Sequence, residues 1–244
     1  MNSQITHDVI NSYACEFWII TLFPRMFSEI FSESILFRAR EKKLLSLNVI
    51  DLREHCFDKH RTADDAAFGG GPGMVLKAEP IAHAIRSIPN YQKATIIVTS
   101  ASGQKFSQDK AQALCQKERI VIVCGHYEGI DQRVVDIFAA EEICIGDFVL
   151  TGGELPAMVI VDAVARNIPG VLGKAQSLLE ESFQDGLLEG PHYTRPRDFE
   201  NLTVPEVLLS GNHQEIAAFR RIESLKKTIK LRPDLMLGNK PIND

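Results

Sequence analysis

Glycine-rich segments follow short apolar runs of the chain, at positions where they could surround a small ligand. Residues 125–129 come directly after the run 119–124, and residues 146–156 come after the run 142–145. Residues 100–103 follow a third run in the same way. Ligands of open α/β sheets bind at the carboxyl ends of the strands, where glycines let the main chain approach them. The pattern indicates a binding site, while tight turns alone would also explain the glycines.

The chemistry of these loops favours a neutral or cationic ligand. They carry acidic residues, and the sequence contains neither the glycine fingerprint of Rossmann folds nor a P-loop. The nucleophile elbow of α/β-hydrolases is also missing. These absences argue against an ordinary Rossmann dehydrogenase and against a P-loop enzyme.

A further glycine run, residues 69–73, follows a polar segment, residues 60–65. Such a run cannot hold a helix or a central strand, so it predicts a loop. His60 and Arg61 could contact phosphate groups, and the aspartate pair that follows could accept hydrogen bonds from the edge of a base. An ordinary surface loop built of turn residues is the alternative.

The cysteines indicate a reducing compartment. They are five in number, widely spread and never in a C-x-x-C pair. This is typical of free thiols in a cytoplasm and argues against a disulfide framework or a zinc site. His55, Cys56, Asp58 and His60 are metal-ligand types, but their spacing matches no zinc signature, so no metal site is predicted.

Composition sets the broad class of the protein. The chain has 244 residues, 45% of them apolar, with 27 Lys and Arg against 32 Asp and Glu, a net charge of −5. This balance excludes a disordered protein and allows one large domain or two modest ones. The most apolar run, residues 155–165, contains Asp162 and is much shorter than the ~20 residues of a membrane-spanning helix. Residues 1–16 lack Lys and Arg and do not look like a signal peptide, so we expect a loose extension.

The first two-thirds of the chain alternate short β-branched runs with helical stretches, which predicts an α/β fold. The strand-like runs are nearly continuously apolar, as in a parallel sheet covered by helices on both faces. The predicted strands are residues 17–22, 94–99 and 119–124, and the predicted helices are about residues 25–43, 79–88, 109–117, 131–140 and 154–168.

The last third is organised differently. Residues 175–199 are polar and punctuated by Gly and Pro, which predicts a linker. Asn212 and Glu215 then form a capping-box pattern at the start of a helix. Its apolar stripe consists of Ile216, Phe219, Ile222, Leu225 and Ile229.

Charge is divided between the same two parts. Residues 205–244 contain seven Lys and Arg against five Asp and Glu, a net charge of +2, which leaves −7 on the first 204 residues. A basic appendage on an acidic body fits the binding of a polyanion. A solvated helix face would produce the same charge pattern.

Taken in order, a set of motifs in the chain resembles the bacterial tRNA (guanine-N1)-methyltransferases, which modify the guanosine on the 3′ side of the anticodon. These enzymes belong to the SPOUT class of S-adenosylmethionine-dependent methyltransferases. The resemblance runs from about residue 17 to residue 232, so it covers nearly the whole chain. Its motifs are Leu22-Phe23-Pro24, His60-Arg61-Thr62, Asp64-Asp65, and residues 69–74, 127–131, 145–150, 152–158, 168–173, 191–196 and 208–213.

The resemblance implies a SPOUT-type α/β fold, in which a parallel sheet with helices on both faces forms a deep trefoil knot and a small helical C-terminal domain follows. Residues 1–16 would be a loose extension and residues 17–174 the knotted, cofactor-binding catalytic domain. Residues 175–200 would be a linker that contributes to the active site, and residues 201–244 the tRNA-binding domain. The resemblance also implies a cytoplasmic homodimer with its active site between the subunits.

The implied reaction moves a methyl group from S-adenosylmethionine to N1 of guanosine 37 in tRNA, which supports reading-frame maintenance. No DNA or membrane partner is expected. An Mg²⁺ ion is associated with the family, but the sequence assigns no ligands to it. The residues that the resemblance assigns to the cofactor are Ser100, Gly125, Tyr127, Glu128, Gly129, Ile145, Gly146, Asp147, Phe148, Val149, Leu150, Gly152, Gly153 and Pro156.

The resemblance also assigns the chemistry. Arg166 matches the assisting arginine, and Glu181 falls where the family usually has an aspartate base. Because Glu is longer by one methylene, Glu180 and Asp185 are alternative bases. Ala101 and His126 depart from the family pattern, which has Pro and Arg there. The residues expected to contact tRNA are His60, Arg61, Asp65, Arg220 and Lys227.

Two other functions fit parts of the pattern. A SPOUT enzyme that methylates another RNA, such as rRNA, would keep the cofactor loops and differ at residues 191–196 and 210–213. A non-catalytic RNA-binding relative would have lost its chemistry at Glu181. The intact cofactor loops argue against the second alternative, since a protein that only binds RNA has no need of them.

Overall fold

A computed structural model describes residues 13–173, 181–183 and 185–237. The chain divides into two compact units, Met1–Gly173 and Lys174–Asp244. The predicted linker segment therefore groups with the C-terminal residues. Most of the predicted N-terminal extension lies outside the described residues, and the first strand already begins at Cys15.

The first unit is built on a parallel sheet. Its strands are β1 Cys15–Thr21, β2 Leu45–Asp51, β5 Thr95–Lys105, β6 Arg119–Cys124 and β7 Glu141–Cys144. Their order is β2-β1-β6-β5-β7, and every pairing is parallel. A separate antiparallel hairpin consists of β3 Asp64–Ala66 and β4 Met74–Leu76.

Helices cover both faces of this sheet. Alternate strand residues point to opposite sides, and apolar residues on both sides are buried under helices. Phe17 and Ile19 of β1 belong to one apolar cluster, and Ile20 belongs to the other. The predicted α/β class with a central parallel sheet is confirmed. The helices are α1 Ser28–Ser32, α2 Ser34–Glu41, α3 Ala78–Ser87, α4 Gln108–Leu114, α5 Gln132–Phe138 and α6 Glu154–Ala165.

One sequence prediction for this unit is wrong in detail, and one strand was not predicted. The single helix expected at residues 25–43 is a short 3₁₀ turn, Pro24–Phe27, followed by α1 and α2. The chain breaks between α1 and α2 because Glu33 is extended and Ser34 has a φ of +56°. The strand β2 was not predicted, since its residues are mostly half-buried and include polar side chains.

The described part of the second unit contains one long helix, α7 His213–Leu231. Asn212 accepts hydrogen bonds from the main chain of Gln214 and Glu215, which confirms the predicted N-cap. Short elements precede and follow this helix: β8 Asp198–Phe199, β9 Leu202–Thr203 and 3₁₀ turns at Glu206–Leu209 and Pro233–Leu237.

The buried face of α7 differs from the predicted apolar stripe. Ile222 and Ile229 are 50% and 59% exposed, whereas Thr228 is fully buried. The Thr228 hydroxyl accepts a hydrogen bond from the main chain of Leu188, and the Ser224 hydroxyl donates to the carbonyl of the same residue. The segment that precedes the helix therefore packs on its hydroxyl-bearing side.

Candidate active site

A cavity of about 440 Å³ opens where β6 and β7 end, beside the second half of β5. The pairing of β5 with β7 shifts between Thr99 and Gln104, which both pair with Ile143, so residues 100–103 bulge out of the ladder. The structure brings together thirteen of the residues predicted to bind a cofactor, since all of them line this cavity. They are Ser100, Gly125, Tyr127, Glu128, Gly129, Ile145, Gly146, Phe148, Val149, Leu150, Gly152, Gly153 and Pro156.

Asp147 is the predicted cofactor residue that does not line the cavity. Its side chain is 87% exposed and forms an ion pair with Lys105 at 3.5 Å. Other lining residues were not assigned from the sequence, among them His126, Gln132 and Glu142. In the sequence, only their positions near the ends of predicted strands or at the start of α5 could have indicated that they line the cavity.

Gly125 and Gly153 let three wall segments touch. A Cβ at Gly125 would lie 2.6 Å from the carbonyl oxygen of Thr99, and a Cβ at Gly153 would lie 1.9 Å from the hydroxyl oxygen of Thr99. The main-chain N–H of Gly153 donates to the carbonyl of Gly125 at 2.7 Å, and that of Gly125 donates to the Thr99 hydroxyl at 3.1 Å. At these two glycines the wall of the cavity is therefore main chain, and close packing requires them, rather than turns alone.

The neighbouring residues carry two features that are typical of functional sites. The Nδ1 atom of His126 is buried and has no hydrogen-bond partner among the described residues. Its ring contacts those of Phe23 and Tyr127, at centroid distances of 5.1 and 4.8 Å. Tyr127 has a φ of +59°, a left-handed conformation that is unfavourable for a residue with a bulky side chain.

The glycine run at residues 69–73 joins β3 to β4, and β4 is bonded to the cavity wall. The main-chain N–H of Glu128 donates to the carbonyl of Met74, and that of Leu76 donates to the carbonyl of Gly129, both at 3.0 Å. The side chain of Glu128 also occupies the space that a Cβ at Gly73 would need. The loop is thus anchored to one of the segments that line the cavity.

His60, Arg61 and Asp65 lie before and within this hairpin, and all three are exposed. Asp58 organises the segment by accepting hydrogen bonds from the Thr62 hydroxyl and from the main-chain N–H groups of Thr62 and His60. The Thr62 hydroxyl is the main reason that the pKa of Asp58 is lowered. The predicted tRNA contacts of the first unit are therefore displayed on an ordered, polar surface.

Glu181 lines a second cavity, of about 320 Å³, which is formed entirely by residues of the second unit. Arg220 of α7 lines the same cavity, so the structure places a predicted catalytic residue near a predicted tRNA contact. Asp185, one of the alternative bases, forms an ion pair with Arg221. Glu180, the other alternative, lies outside the described residues.

The remaining predicted residues are on different elements. Lys227 of α7 donates its Nζ hydrogen to the main-chain carbonyl of Glu189 at 3.0 Å. Arg166 ends α6, and its main-chain N–H bonds to the carbonyls of Asp162 and Val164. Arg166 therefore belongs to the first unit, whereas Glu181 belongs to the second.

Within residues 13–173, 181–183 and 185–237, no group of three or more His, Cys, Asp or Glu side chains could hold a metal ion. No residue of this part of the chain is assigned to Mg²⁺. All five cysteines are free thiols. Among the described helices, none has the length and apolar content needed to cross a membrane.

Comparison with known proteins identifies the family. The family model for tRNA (Guanine-1)-methyltransferase TrmD matches residues 15–238. The chain is 50% identical over 227 residues to a tRNA (guanine-N(1)-)-methyltransferase of Bacillus pumilus, covering 92% of this chain and 93% of that protein. Enzymes of the same name from Dictyoglomus turgidum and Carboxydothermus hydrogenoformans are each 54% identical over 218 residues, covering 89% of this chain and 88% and 86% of theirs. The chain therefore belongs to the tRNA (guanine-1)-methyltransferase family.

Proposed function

We propose that the protein methylates N1 of guanosine 37 in tRNA, beside the anticodon, and that it uses S-adenosylmethionine bound in the cavity of the first unit. The observation that carries the proposal is this cavity, which three glycine-containing segments enclose. It lies in a chain that belongs to a tRNA methyltransferase family. The relatives from Bacillus pumilus and Dictyoglomus turgidum are named tRNA (guanine-N(1)-)-methyltransferases. A modification at this position would support reading-frame maintenance.

The cavity suits S-adenosylmethionine in size and chemistry. Its volume of about 440 Å³ is within the range of small-molecule pockets. The main chain at Gly125 and Gly153 can approach the ligand closely, and the Glu128 carboxylate suits a ligand with positive charge. When bound, S-adenosylmethionine supplies the methyl group. The thirteen predicted residues that line the cavity would hold it, and the ion-paired side chain of Asp147 would not.

Glu181 is the group that we propose as the base for the guanine. Guanine N1 carries a proton, which a carboxylate can accept as the new bond to carbon forms. The guanidinium of Arg166 would stabilise the negative charge that develops at O6. Asp185, whose carboxylate pairs with Arg221 and accepts a hydrogen bond from the main chain of Leu187, is the alternative base.

We also propose that the first unit forms the trefoil knot of the SPOUT class. Two observations support this. The strand order β2-β1-β6-β5-β7 requires several crossovers between parallel strands. After β7 the chain returns to the end of β6, where Gly152 pairs with His126 and Gly153 bonds to Gly125.

A homodimer is supported by apolar side chains on the surface of the first unit. Leu155 and Val159, one turn apart on α6, are 51% and 46% exposed. The 3₁₀ turn Pro24–Phe27 packs against α6 and adds Met26, which is 46% exposed. An apolar surface of this kind is typical of subunit contacts. We propose that a second copy of the chain covers it and completes the active site.

We propose that tRNA contacts both units. His60, Arg61 and Asp65 are exposed beside the hairpin of the first unit, and Arg220 and Lys227 are exposed on α7 of the second. The basic side chains can neutralise phosphates, and such contacts supply a large share of the affinity in protein–nucleic acid complexes. Contacts between the active site and an unstacked guanine would supply the specificity for the modified base.

The test is a methylation assay with purified transcripts, followed by mass-spectrometric mapping of the modified base. We expect one methyl group at N1 of guanosine 37 and none on a transcript with adenosine at that position. Methylation of rRNA instead of tRNA would replace the proposal with the first alternative. Binding of tRNA without any methyl transfer would replace it with the second.

A further inference from the structure

Glu154 is a buried carboxyl group that the proposed mechanism does not use. It is the first residue of α6 and is 2% exposed. Thr21, the last residue of β1, is 1% exposed and donates its hydroxyl hydrogen to Oε1 of Glu154 at 2.7 Å. Burying a carboxyl group is costly even when it is hydrogen-bonded, and apolar replacements of buried charges are often as stable or more stable. Stability alone therefore does not explain a glutamate at this position.

The Thr21 hydroxyl connects Glu154 to the turn that follows β1. Its oxygen accepts a hydrogen bond from the main-chain N–H of Phe23 at 2.9 Å. The ring of Phe23 in turn packs against the ring of His126 in the cavity wall. One hydroxyl group thus joins the end of β1 directly to the start of α6. Through Phe23 it also joins the end of β1 to the segment after β6.

The other carboxyl oxygen of Glu154 faces the same wall. A Cβ at Gly152 would lie 2.5 Å from Oε2 of Glu154 and 2.8 Å from Nε2 of His126, so both groups pack against Gly152. The main chains of Gly152 and His126 also form an antiparallel bridge. Burial, and after it the charge of Glu154, raises the pKa of the Cys124 thiol at the end of β6. The carboxyl group is therefore surrounded by the ends of β1 and β6 and by the last wall segment.

We propose that Glu154 is a positioning residue for the cofactor, which acts with Thr21 to fix the wall segments 125–129 and 151–153 relative to β1. Neither Thr21 nor Glu154 lines the cavity, so both act through the residues that do. β1 is an interior strand of the sheet and provides a rigid reference for the two glycine-containing segments. The inference rests on the proposed cofactor site.

Variants of Thr21 test this directly. Thr21→Val removes the hydroxyl at nearly constant volume, and Thr21→Ser keeps it. Glu154→Gln keeps an oxygen that can accept from Thr21 but replaces the oxygen that packs against Gly152 by an amide NH2 group. In calorimetric titrations of the full-length protein with S-adenosylmethionine, we expect T21V and E154Q to raise Kd about tenfold, or about 1.4 kcal/mol. T21S should stay within about twofold of the wild type. KM for S-adenosylmethionine should rise with Kd, while kcat at saturation changes much less.

Glu16→Gln is the matched control. Glu16 lies at the opposite end of β1, has a 22% exposed side chain and pairs with Arg119 of β6. We expect E16Q to lower Tm about as much as E154Q does but to leave Kd at the wild-type value. If T21V and E154Q lower Tm yet keep the wild-type Kd, the pair is merely structural and the inference is overturned.

The two proposals fail in different ways. A wild-type protein that does not bind S-adenosylmethionine would overturn the proposed function, and this inference with it. Wild-type binding together with unchanged binding by T21V overturns the inference alone. Should E154Q not fold, the comparison of T21V with T21S decides, because both variants keep the carboxyl group.

Discussion

Among single residues, Glu181 has the most specific proposed task, which is to accept the proton from guanine N1. Glu181→Gln should lower the single-turnover rate of methyl transfer at least about 100-fold, because an amide cannot accept this proton. Glu181→Asp keeps the carboxylate and should retain more of the rate. The measurement is the transfer of a radiolabelled methyl group with enzyme in excess over tRNA.

Cofactor binding is the control for these variants, because the cofactor cavity is formed by residues of the first unit and Glu181 belongs to the second. The Kd for S-adenosylmethionine should stay at its wild-type value. A near-normal rate for E181Q would show that another group is the base. Asp185→Asn would then be the next variant to test.

Two acidic residues of the cofactor loops should behave differently. Asp147→Ala should leave the Kd for S-adenosylmethionine within about twofold, because this side chain is exposed and paired with Lys105. Glu128→Ala should weaken binding, since Glu128 lines the cavity and packs against Gly73. Titration of both variants checks this. Equal losses would mean that Asp147 reaches the ligand.

At the scale of elements, the N-terminus of α5 makes stability depend on pH. Asp131 accepts a hydrogen bond from the main-chain N–H of Arg133 at 3.0 Å and pairs with its guanidinium at 2.6 Å. The guanidinium is the main reason that the pKa of Asp131 is lowered in the folded protein. Stabilisation by this charge is complete above the unfolded pKa of about 4 and is lost as the pH falls through the folded value.

Asp131→Asn isolates this effect, because asparagine is also a good N-cap. The variant should be less stable than the wild type at pH 7, and the difference should shrink as the solution is acidified. Urea unfolding at several pH values measures it. A difference that stays constant down to pH 2.5 would show that the charge of Asp131 does not stabilise the helix.

Strands could be predicted from the sequence where successive residues are all buried and therefore all apolar. Strand β6 begins and ends at the predicted residues because Ile120 to Val123 are all fully buried. Strand β2 was missed because Leu45, Leu47 and Val49 alternate with less apolar residues in a half-buried edge strand. The apolar stripe of α7 did not predict its buried face, because the packing there is made by hydroxyl groups of Ser224 and Thr228.

The candidate site was predictable to a similar degree. Glycines after strands pointed to the cavity, since parallel strands bring their carboxyl ends to one edge of a sheet. The contribution of His126 depends on ring contacts with Phe23, about 100 positions away, which no local pattern contains. For the same reason, the burial of Glu154 against Thr21 could not be predicted from the sequence.

For the whole molecule, self-association is the first prediction. Val159→Glu places a charge on the exposed apolar face of α6 and should convert a dimer into a monomer, with loss of methyl transfer. Light scattering after size exclusion measures the mass. Ile137→Glu on α5, where the side chain is 60% exposed, is the control and should stay dimeric and active. A wild-type monomer with full activity would contradict the proposed dimer.

The charge distribution leads to a second prediction for the whole molecule. With a net charge of −5, the protein must bind tRNA through local basic surfaces, and affinity should fall steeply as salt rises. Replacing Arg220 and Lys227 by Gln should weaken binding and lower the slope of log Kd against log salt by about 0.7 to 0.9 per charge. Filter binding at several salt concentrations measures the slope. An unchanged slope would place the phosphate contacts elsewhere.

The main-chain wall at Gly125 and Gly153 has a consequence for inhibitors. A compound that rests against these two residues contacts main chain that a substitution cannot cover, because a side chain at either position would collide with Thr99. Substitutions of Gly125 or Gly153 therefore cannot cause resistance by blocking the compound. It would have to arise where side chains form the lining, such as Val149 or Leu150, so a compound that avoids those contacts should be the hardest to escape.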